Sequence, residues 1–391
     1  MNENWTRRQV LALSGGALLG AVLPPFSRNA FAASSAPKSV DPQSKAAAMG
    51  TTTAADLYRK AFVLDCNTLA SIGSLCCDED TGKELQGVRD SGITALKSTL
   101  GGANGTFEEA VADIAAAQAL IQRYPDRFIK VTRHDDLEQA KRENKVAVIF
   151  SFEAASMLED KIERIDMFHQ LDVLVMQLTY NHKTPFGCGC LDGDTDGVTD
   201  LGRKAIAKMN ALGVALDLSH ANVRTTADGI AISTKPPVFT HAGCRSVFAH
   251  PRNKEDREMK ALANKGGVMG IYMLPFLTVD TRQPTLEDYM RHMAHALDVC
   301  GEDHDGIGTD TMFFEVTDSD LKEMKKEEED RKKAGVSAPG ENRPPYIPDI
   351  NTPRKLERVA DALLKHGYSE RVTDKVLGLN FSRVFKEIWT A

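Results

Sequence analysis

The sequence has no excess of basic residues. Its 391 residues include 48 lysines and arginines against 55 aspartates and glutamates, which gives a formal net charge of −7 at pH 7. A nucleic-acid-binding domain would carry a basic face, so the charge balance argues against a nucleic-acid partner. Hydrophobic residues make up 42% of the chain, which allows a large core in one large α/β domain or two ordinary ones.

Long hydrophobic runs are also scarce. The apolar stretch at residues 11–23 is shorter than the roughly 20 residues that a membrane span requires. It follows Arg7 and Arg8, a twin-arginine pattern, and an A-x-A cleavage site comes after it. We therefore predict a twin-arginine signal peptide at residues 1–32 and a linker at residues 33–53. The mature protein would be periplasmic, with no stable membrane span after cleavage; an uncleaved anchor is the alternative.

The cysteines lack the spacing of a metal-binding ribbon. The seven are Cys66, Cys76, Cys77, Cys188, Cys190, Cys244 and Cys300. An odd number leaves at least one thiol unpaired. We expect scattered loop or buried thiols, with a disulfide from Cys66 to Cys188 or Cys190 as the alternative.

The glycine-rich fingerprint of a dinucleotide fold, G-x-G-x-x-G, does not follow any early strand, which argues against an open doubly wound sheet. Instead, β-like and helix-like segments alternate, as they do around a parallel sheet. Helices are predicted at Phe107–Tyr124 and Leu201–Leu212, the second with Thr199 or Asp200 as its N-cap and Gly213 after its end. The candidate strands are Phe62–Asp65, Ile93–Ser98, Phe128–Thr132, Val146–Phe152, Val173–Tyr180, Val214–Ser219, Val238–Thr240, Gly267–Met273 and Gly306–Thr309. Eight or so such units are what a (β/α)8 TIM barrel requires, and we predict this fold over residues 54–391.

One segment, residues 321–358, interrupts the alternation. Its first part, 322–333, is a dense charge run, and its second part, 338–353, is rich in proline. Such a segment is typical of a solvated helix followed by a surface loop. A lid over the mouth of the barrel is the functional alternative.

Four predicted strand ends carry the residue types that metal-dependent hydrolysis requires. Glu153 and Asp310 follow two of them, and His220 and His241 follow two others. Imidazole nitrogen and carboxylate oxygen are zinc ligands, and three protein ligands leave one position for water. The sequence therefore predicts a zinc site at Glu153, His220 and His241, with Asp310 moving protons.

Each of these residues also has a simpler explanation. Glu153 could form a salt bridge, Asp310 could cap a helix, and a single strand-end histidine is more often a hydrogen-bonded core residue. Four such residues at strand ends favour one common site. His182 and His250 either face the substrate or lie at the surface.

Several segments resemble the membrane (renal) dipeptidases, zinc peptidases with a (β/α)8 barrel of the amidohydrolase-like type. The segments with this resemblance are 152–154, 177–181, 197–202, 209–213, 217–220, 240–241, 250–253, 306–310 and 378–381. The resemblance implies a small peptide substrate and a homodimer. It makes Glu153 the metal-bridging glutamate, His220 and His241 the ligands of the second metal, and Asp310 the acid/base. It makes Arg252 the group that holds the substrate carboxylate, for which a guanidinium is well suited.

The sequence departs from the family pattern at two places. The family ends its first strand in an H-x-D pair that binds the first metal, and the matching positions here are Asn67 and Leu69. Leucine cannot bind a metal, and asparagine is a poor zinc ligand. The family's substrate-polarising histidine is replaced by Tyr180, whose hydroxyl can donate to an oxyanion.

Two hypotheses follow from this comparison. The first is a hydrolase of dipeptides or small amides that uses one zinc ion instead of two. The second is a related barrel without peptidase activity, which binds a peptide or assists the periplasmic maturation of a peptide natural product such as a siderophore.

Overall fold

A computed structural model describes residues 53–69 and 81–390. The predicted signal peptide and nearly all of the predicted linker lie outside these residues. The strands described are β1 (Leu64–Thr68), β2 (Ala95–Thr99), β3 (Phe128–Lys130), β4 (Val146–Phe152), β5 (Val173–Gln177), β6 (Ala215–Asp217), β7 (Val238–Cys244), β8 (Asn253–Lys254), β9 (Val268–Ile271) and β10 (Asp305–Ile307). The helices described are α1 (Ala54–Lys60), α2 (Thr81–Ser91), α3 (Phe107–Arg123), α4 (Asp135–Glu143), α5 (Arg164–Gln170), α6 (Asp200–Leu212), α7 (Val223–Ile232), α8 (Asp256–Asn264), α9 (Leu286–Cys300), α10 (Asp318–Lys333), α11 (Lys355–Lys365), α12 (Glu370–Asp374) and α13 (Asn380–Ile388).

Eight of the described strands form a parallel barrel, in the order β1-β2-β4-β5-β6-β7-β9-β10. The last strand meets the first just beyond β10, where the Asp310 amide donates to the Asn67 carbonyl over 2.8 Å. The Leu69 amide donates to the Thr311 carbonyl over 3.2 Å. The predicted (β/α)8 barrel is confirmed, and the doubly wound alternative is wrong.

Side chains of one strand alternate between two apolar clusters, because successive residues of a strand point to opposite faces. In β4, Val148 and Phe150 belong to the cluster shared with the surrounding helices. Ala147 and Ile149 belong to a second cluster, which also contains buried side chains of α13. The C-terminal helix α13 thus packs against residues of the barrel strands themselves.

The caps of α6 explain why this helix begins and ends where it does. The Thr199 hydroxyl accepts a hydrogen bond from the Gly202 amide, and Gly213 ends the helix with φ 75°. A left-handed residue at this position favours glycine. Of the two predicted N-caps, Thr199 is the one found.

The predicted insertion begins with a solvated helix and continues across the mouth of the barrel. Helix α10 starts at Asp318 and buries none of its residues. The segment that follows contacts the loop after β5: the side-chain amide of Asn181 donates through Nδ2 to the Val336 carbonyl over 2.8 Å. On another side, His250 lies 2.7 Å from the Pro339 carbonyl. We name residues 331–344 the cap.

Two further findings concern the cysteines and the helices. Cys66, Cys188 and Cys190 are buried free thiols, so the alternative of a disulfide from Cys66 is not borne out in the structure. Within the described part of the chain, no helix combines the length and the apolar character needed to cross a membrane.

Candidate metal centre

The candidate residues meet at the carboxyl end of the barrel, where TIM-barrel enzymes place their active sites. Glu153 directly follows β4, and His241 lies within β7. His220 follows β6, and Asp310 follows β10. The strands thus bring together residues that are up to 157 positions apart in the sequence, as their positions imply.

Glu153, His220 and His241 form a cluster that could hold one metal ion. Their potential ligand atoms all lie within 4.8 Å of one another. Both imidazoles are buried. Burial, with the nearby Arg252 guanidinium, lowers the pKa of both histidines well below the usual range, so they are neutral, as metal ligands must be.

Hydrogen-bond partners fix the tautomer of each histidine. His220 Nδ1 lies 2.8 Å from the amide oxygen of Asn181, which can only accept. His241 Nδ1 lies 2.9 Å from the Thr240 hydroxyl, which donates its own hydrogen to Asp217 over 2.5 Å. Both Nδ1 atoms therefore carry the proton, and both Nε2 atoms present a lone pair.

The two Nε2 atoms lie 2.9 Å apart, and the lone pair on His220 Nε2 also accepts a hydrogen bond from Arg252. With no proton between them the arrangement is unfavourable, and a cation would relieve it. Zinc binds imidazole nitrogen at about 2.0–2.1 Å, so one ion can reach both atoms. The donor set and its tautomers fit a metal at the second position of the family.

A side-chain amide occupies the place that corresponds to the family's first metal position. Asn67 is fully buried, and its Nδ2 donates to Glu153 Oε1 over 2.7 Å and to Asp310 Oδ1 over 2.9 Å. Thr99 also donates to Glu153 Oε1, over 2.7 Å. Leu69 is exposed, with a relative exposure of 39%. The described residues here do not fit a first metal ion.

Asp310 is a buried carboxylate with a strained backbone. Its φ of 55° lies in the left-handed region, which is uncommon for residues other than glycine. Burial, followed by the negative charge of Glu153, raises its pKa to about 7. A carboxyl group with this pKa can both accept and release a proton near neutral pH.

Arg252 does not point to open space, as its expected role would suggest. It is 2% exposed, and its Nη1 donates to the Ser219 carbonyl over 2.6 Å. Its Nη2 donates to His220 Nε2 over 3.0 Å. Since that nitrogen has one lone pair, it accepts either Arg252 or a metal ion, and metal binding would release the guanidinium.

Tyr180 lies against His220 of this cluster. Its ring stacks on His220 with centroids 4.1 Å apart. Burial raises the pKa of Tyr180 to about 12, so its hydroxyl stays protonated at neutral pH. The hydroxyl accepts a hydrogen bond from Arg331 of the cap over 3.0 Å.

Sequence reasoning missed four residues of this site. Thr99 and Asn181 orient Glu153 and His220, respectively, and Arg331 reaches the site from the insertion. Lys97 is fully buried and donates to the Ser151 hydroxyl over 3.0 Å. A lysine within a predicted strand, Ile93–Ser98, was a signal in the sequence, whereas Arg331 stands in a charge run that looks solvated.

The two histidines left open from the sequence contact the cap. His182 is exposed, and its Nε2 lies 3.0 Å from the Gly335 carbonyl. The ring of His250 stacks on Phe276 at 4.3 Å between centroids. Their described contacts hold loops and cap together.

Three comparisons place the chain among known proteins. It is 24% identical over 290 residues to the dipeptidase tcpJ of Claviceps purpurea, covering 72% of this chain and 60% of that one. It is 28% identical over 276 residues to the dipeptidase verJ of Clonostachys rogersoniana, covering 69% and 62%. The chain thus spans about three fifths of the length of these curated relatives.

A solved structure gives the same result for the fold. The amidohydrolase of Pseudomonas aeruginosa superimposes with a TM-score of 0.74 at 29% identity, covering 87% of this chain and all of that one. The family model described as membrane dipeptidase matches residues 80–329, well over half of the chain. The chain therefore belongs to the membrane dipeptidases, peptidase family M19.

Proposed function

We propose that the protein hydrolyses dipeptides or small amides with a single zinc ion held by Glu153, His220 and His241. One observation supports this proposal above the others: the Asn67 amide lies between Glu153 and Asp310, where the family's first metal would bind. The family and its named relatives support peptide hydrolysis in general.

The described side chains can divide the work of such a reaction. When bound, the zinc ion would supply a water molecule of lowered pKa and polarise the scissile carbonyl. Asp310, a buried carboxyl whose pKa is raised, accepts a proton from the attacking water and returns it to the leaving amine. Arg252, once released from His220 by a bound metal ion, would hold the substrate carboxylate, and the Tyr180 hydroxyl donates to the carbonyl oxygen as it becomes negative.

Turnover and metal dependence test the proposal together. Dipeptides are assayed with the full chain after chelator treatment, before and after zinc is restored. We expect turnover only with zinc, and neither bound zinc nor turnover in His220→Ala. Turnover that survives the chelator, or unchanged zinc in His220→Ala, would contradict the ligand assignment.

A second candidate function is a barrel without peptidase activity that binds a peptide or assists the periplasmic maturation of a natural product such as a siderophore. The observation that favours it is the hydrogen bond from Arg252 to His220 Nε2. A guanidinium there supplies a positive charge without a metal. A chain that binds no zinc and hydrolyses no dipeptide, but binds peptide, would support this candidate.

We also propose that the protein is exported to the periplasm by the twin-arginine route. The motif at Arg7 and Arg8 and the following apolar stretch support this. Replacing both arginines by lysine should leave the protein in the cytoplasmic fraction. An unchanged periplasmic fraction would contradict the route.

We propose a homodimer on the strength of the family alone. Light scattering of the purified chain gives the answer directly, since a mass of one chain at micromolar concentration would contradict it.

A further inference from the structure

The cap reaches the metal centre through one arginine. Arg331, at the end of α10, extends its guanidinium to the loop after β5, and Nη2 donates to the Tyr180 hydroxyl over 3.0 Å. Its Nε forms an ion pair with Glu341, also in the cap. The pair keeps the guanidinium in a fixed orientation toward Tyr180.

The direction of the hydrogen bond matters for Tyr180. A guanidinium can only donate, so the Tyr180 oxygen is the acceptor, and its own hydrogen is left for another partner. Among the described residues, Arg331 is the only hydrogen-bond partner of this oxygen. The ring is stacked on His220, so the hydroxyl is held beside the metal ligands.

A positive donor on the Tyr180 oxygen also makes its hydroxyl a stronger donor. Hydrogen bonds in a chain polarise one another, and a charged first donor strengthens the next bond. This effect is useful only toward a group that gains negative charge, such as the carbonyl oxygen during attack.

We propose that Arg331 is a positioning residue for the reaction. Its guanidinium donates to the Tyr180 oxygen, so the Tyr180 hydroxyl is oriented and polarised to donate its hydrogen to the substrate carbonyl oxygen. The insertion is then part of the active site, and the site is incomplete without the cap. This inference rests on the proposed hydrolytic function and assigns a task to a residue outside the family motifs quoted above.

The second contact of the cap points to the same centre. Asn181 donates to the Val336 carbonyl of the cap and accepts from His220 Nδ1. The cap is therefore joined to His220 through Asn181 and to Tyr180 through Arg331. Both links run to the part of the site that would face the scissile carbonyl.

The test is a double-mutant cycle on dipeptide turnover in the full, zinc-loaded chain. Tyr180→Phe removes the donor itself and should lower kcat by about 10²-fold, the size expected for one oxyanion donor. Arg331→Met keeps the Tyr180 hydroxyl, removes its polarising partner together with the ion pair to Glu341, and should lower kcat roughly tenfold, the usual scale for a hydrogen bond to a charged group. KM should change little in either variant. The double variant should be no slower than Tyr180→Phe, because Arg331 acts through Tyr180.

Lys332→Met is the matched control. Lys332 is the exposed neighbour of Arg331 in the same helix turn, and its replacement removes the same charge. It should retain the wild-type kcat and KM. Binding of a phosphinate dipeptide analogue, a mimic of the tetrahedral anion, gives a second readout and should weaken in parallel with kcat.

The outcomes separate this inference from the proposed function. Suppose that the wild type turns over dipeptides. If Arg331→Met then keeps the wild-type kcat, or if the kcat reductions of the two single variants multiply in the double variant, the role of Arg331 is wrong and the proposed hydrolytic function is unaffected. If the wild type neither turns over dipeptides nor binds the analogue, both proposals fail together.

Discussion

At the scale of the residue, Asn67 shows how a metal position can be filled without a metal. A cation between Glu153 and Asp310 would balance two carboxylates, and here one amide donates to both. A buried carboxylate without a donor is costly, so the amide stabilises the pair even though it carries no charge. The Asn67 amide does not neutralise the negative charge of Glu153 and Asp310. Protonation of Asp310, which its raised pKa favours, lowers that charge.

Replacing Asn67 by alanine tests this reading. Asn67→Ala leaves Asp310 Oδ1 without its donor, so the metal-free protein should lose about 1–3 kcal/mol of unfolding free energy in urea. Its zinc content should stay as in the wild type, because Asn67 is not a ligand in this account. Leu69→Ala is the control: its exposed side chain should matter by less than about 0.5 kcal/mol. Loss of zinc in Asn67→Ala would show that the amide position takes part in metal binding.

Asp305 gives a prediction of pH dependence away from the metal centre. It is fully buried at the start of β10, and its Oδ2 has no hydrogen-bond partner among the described residues. Burial raises the pKa of Asp305 well above its usual value. Between the unfolded and the folded pKa the native state binds more protons, so stability falls as pH rises through this window.

Asp305→Asn should remove the loss of stability that Asp305 causes as the pH rises. At pH 8 the variant should be more stable than the wild type, and the difference should shrink by up to about 1.4 kcal/mol per pH unit on acidification. Below the unfolded pKa the two should be alike. The comparison is made by urea unfolding across pH, with the exposed Asp298→Asn as control. A difference that does not depend on pH would contradict the assignment.

At the scale of the element, helix α13 is tied to the barrel strands by aromatic side chains. Phe385 is fully buried in the cluster shared with the strands and stacks on Trp389 at 4.5 Å between centroids. The same cluster contains strand residues such as Leu64 and Val268. The helix therefore supports the scaffold on which the strand ends are held.

Phe385→Ala should cost about 3–5 kcal/mol of unfolding free energy, the usual range for removing a buried phenylalanine. Its zinc content should be unchanged in the folded protein, because the helix contributes no ligand. Lys386→Ala, the exposed neighbour, should be close to the wild type. Both values come from urea unfolding with zinc removed. A loss below about 1 kcal/mol would mean that the helix is not a structural part of the barrel.

At the scale of the whole molecule, the barrel and the position of its site could be predicted from local patterns. Alternating strands and helices gave the topology, and the carboxyl ends of parallel strands share one edge. Polar residues there, such as Glu153 and His241, were therefore expected to meet. The twin-arginine segment lies outside the described residues and stays a prediction.

The partners of the key side chains could not be predicted in this way. Asn67 meets Asp310 only because the last strand closes on the first, 243 residues away. Arg331 meets Tyr180 across 151 residues, from a helix whose sequence looks fully solvated. Contacts of this kind depend on the tertiary path of the chain, which periodicity and spacing do not encode.

The metal content of the purified chain tests the central claim most directly. The protein is loaded with excess zinc, freed of unbound metal, and measured by elemental analysis against protein concentration. A single ion per chain in the wild type, and none in His241→Ala, is the result expected for the site at Glu153, His220 and His241. Two ions per chain, or none in the wild type, would contradict the account.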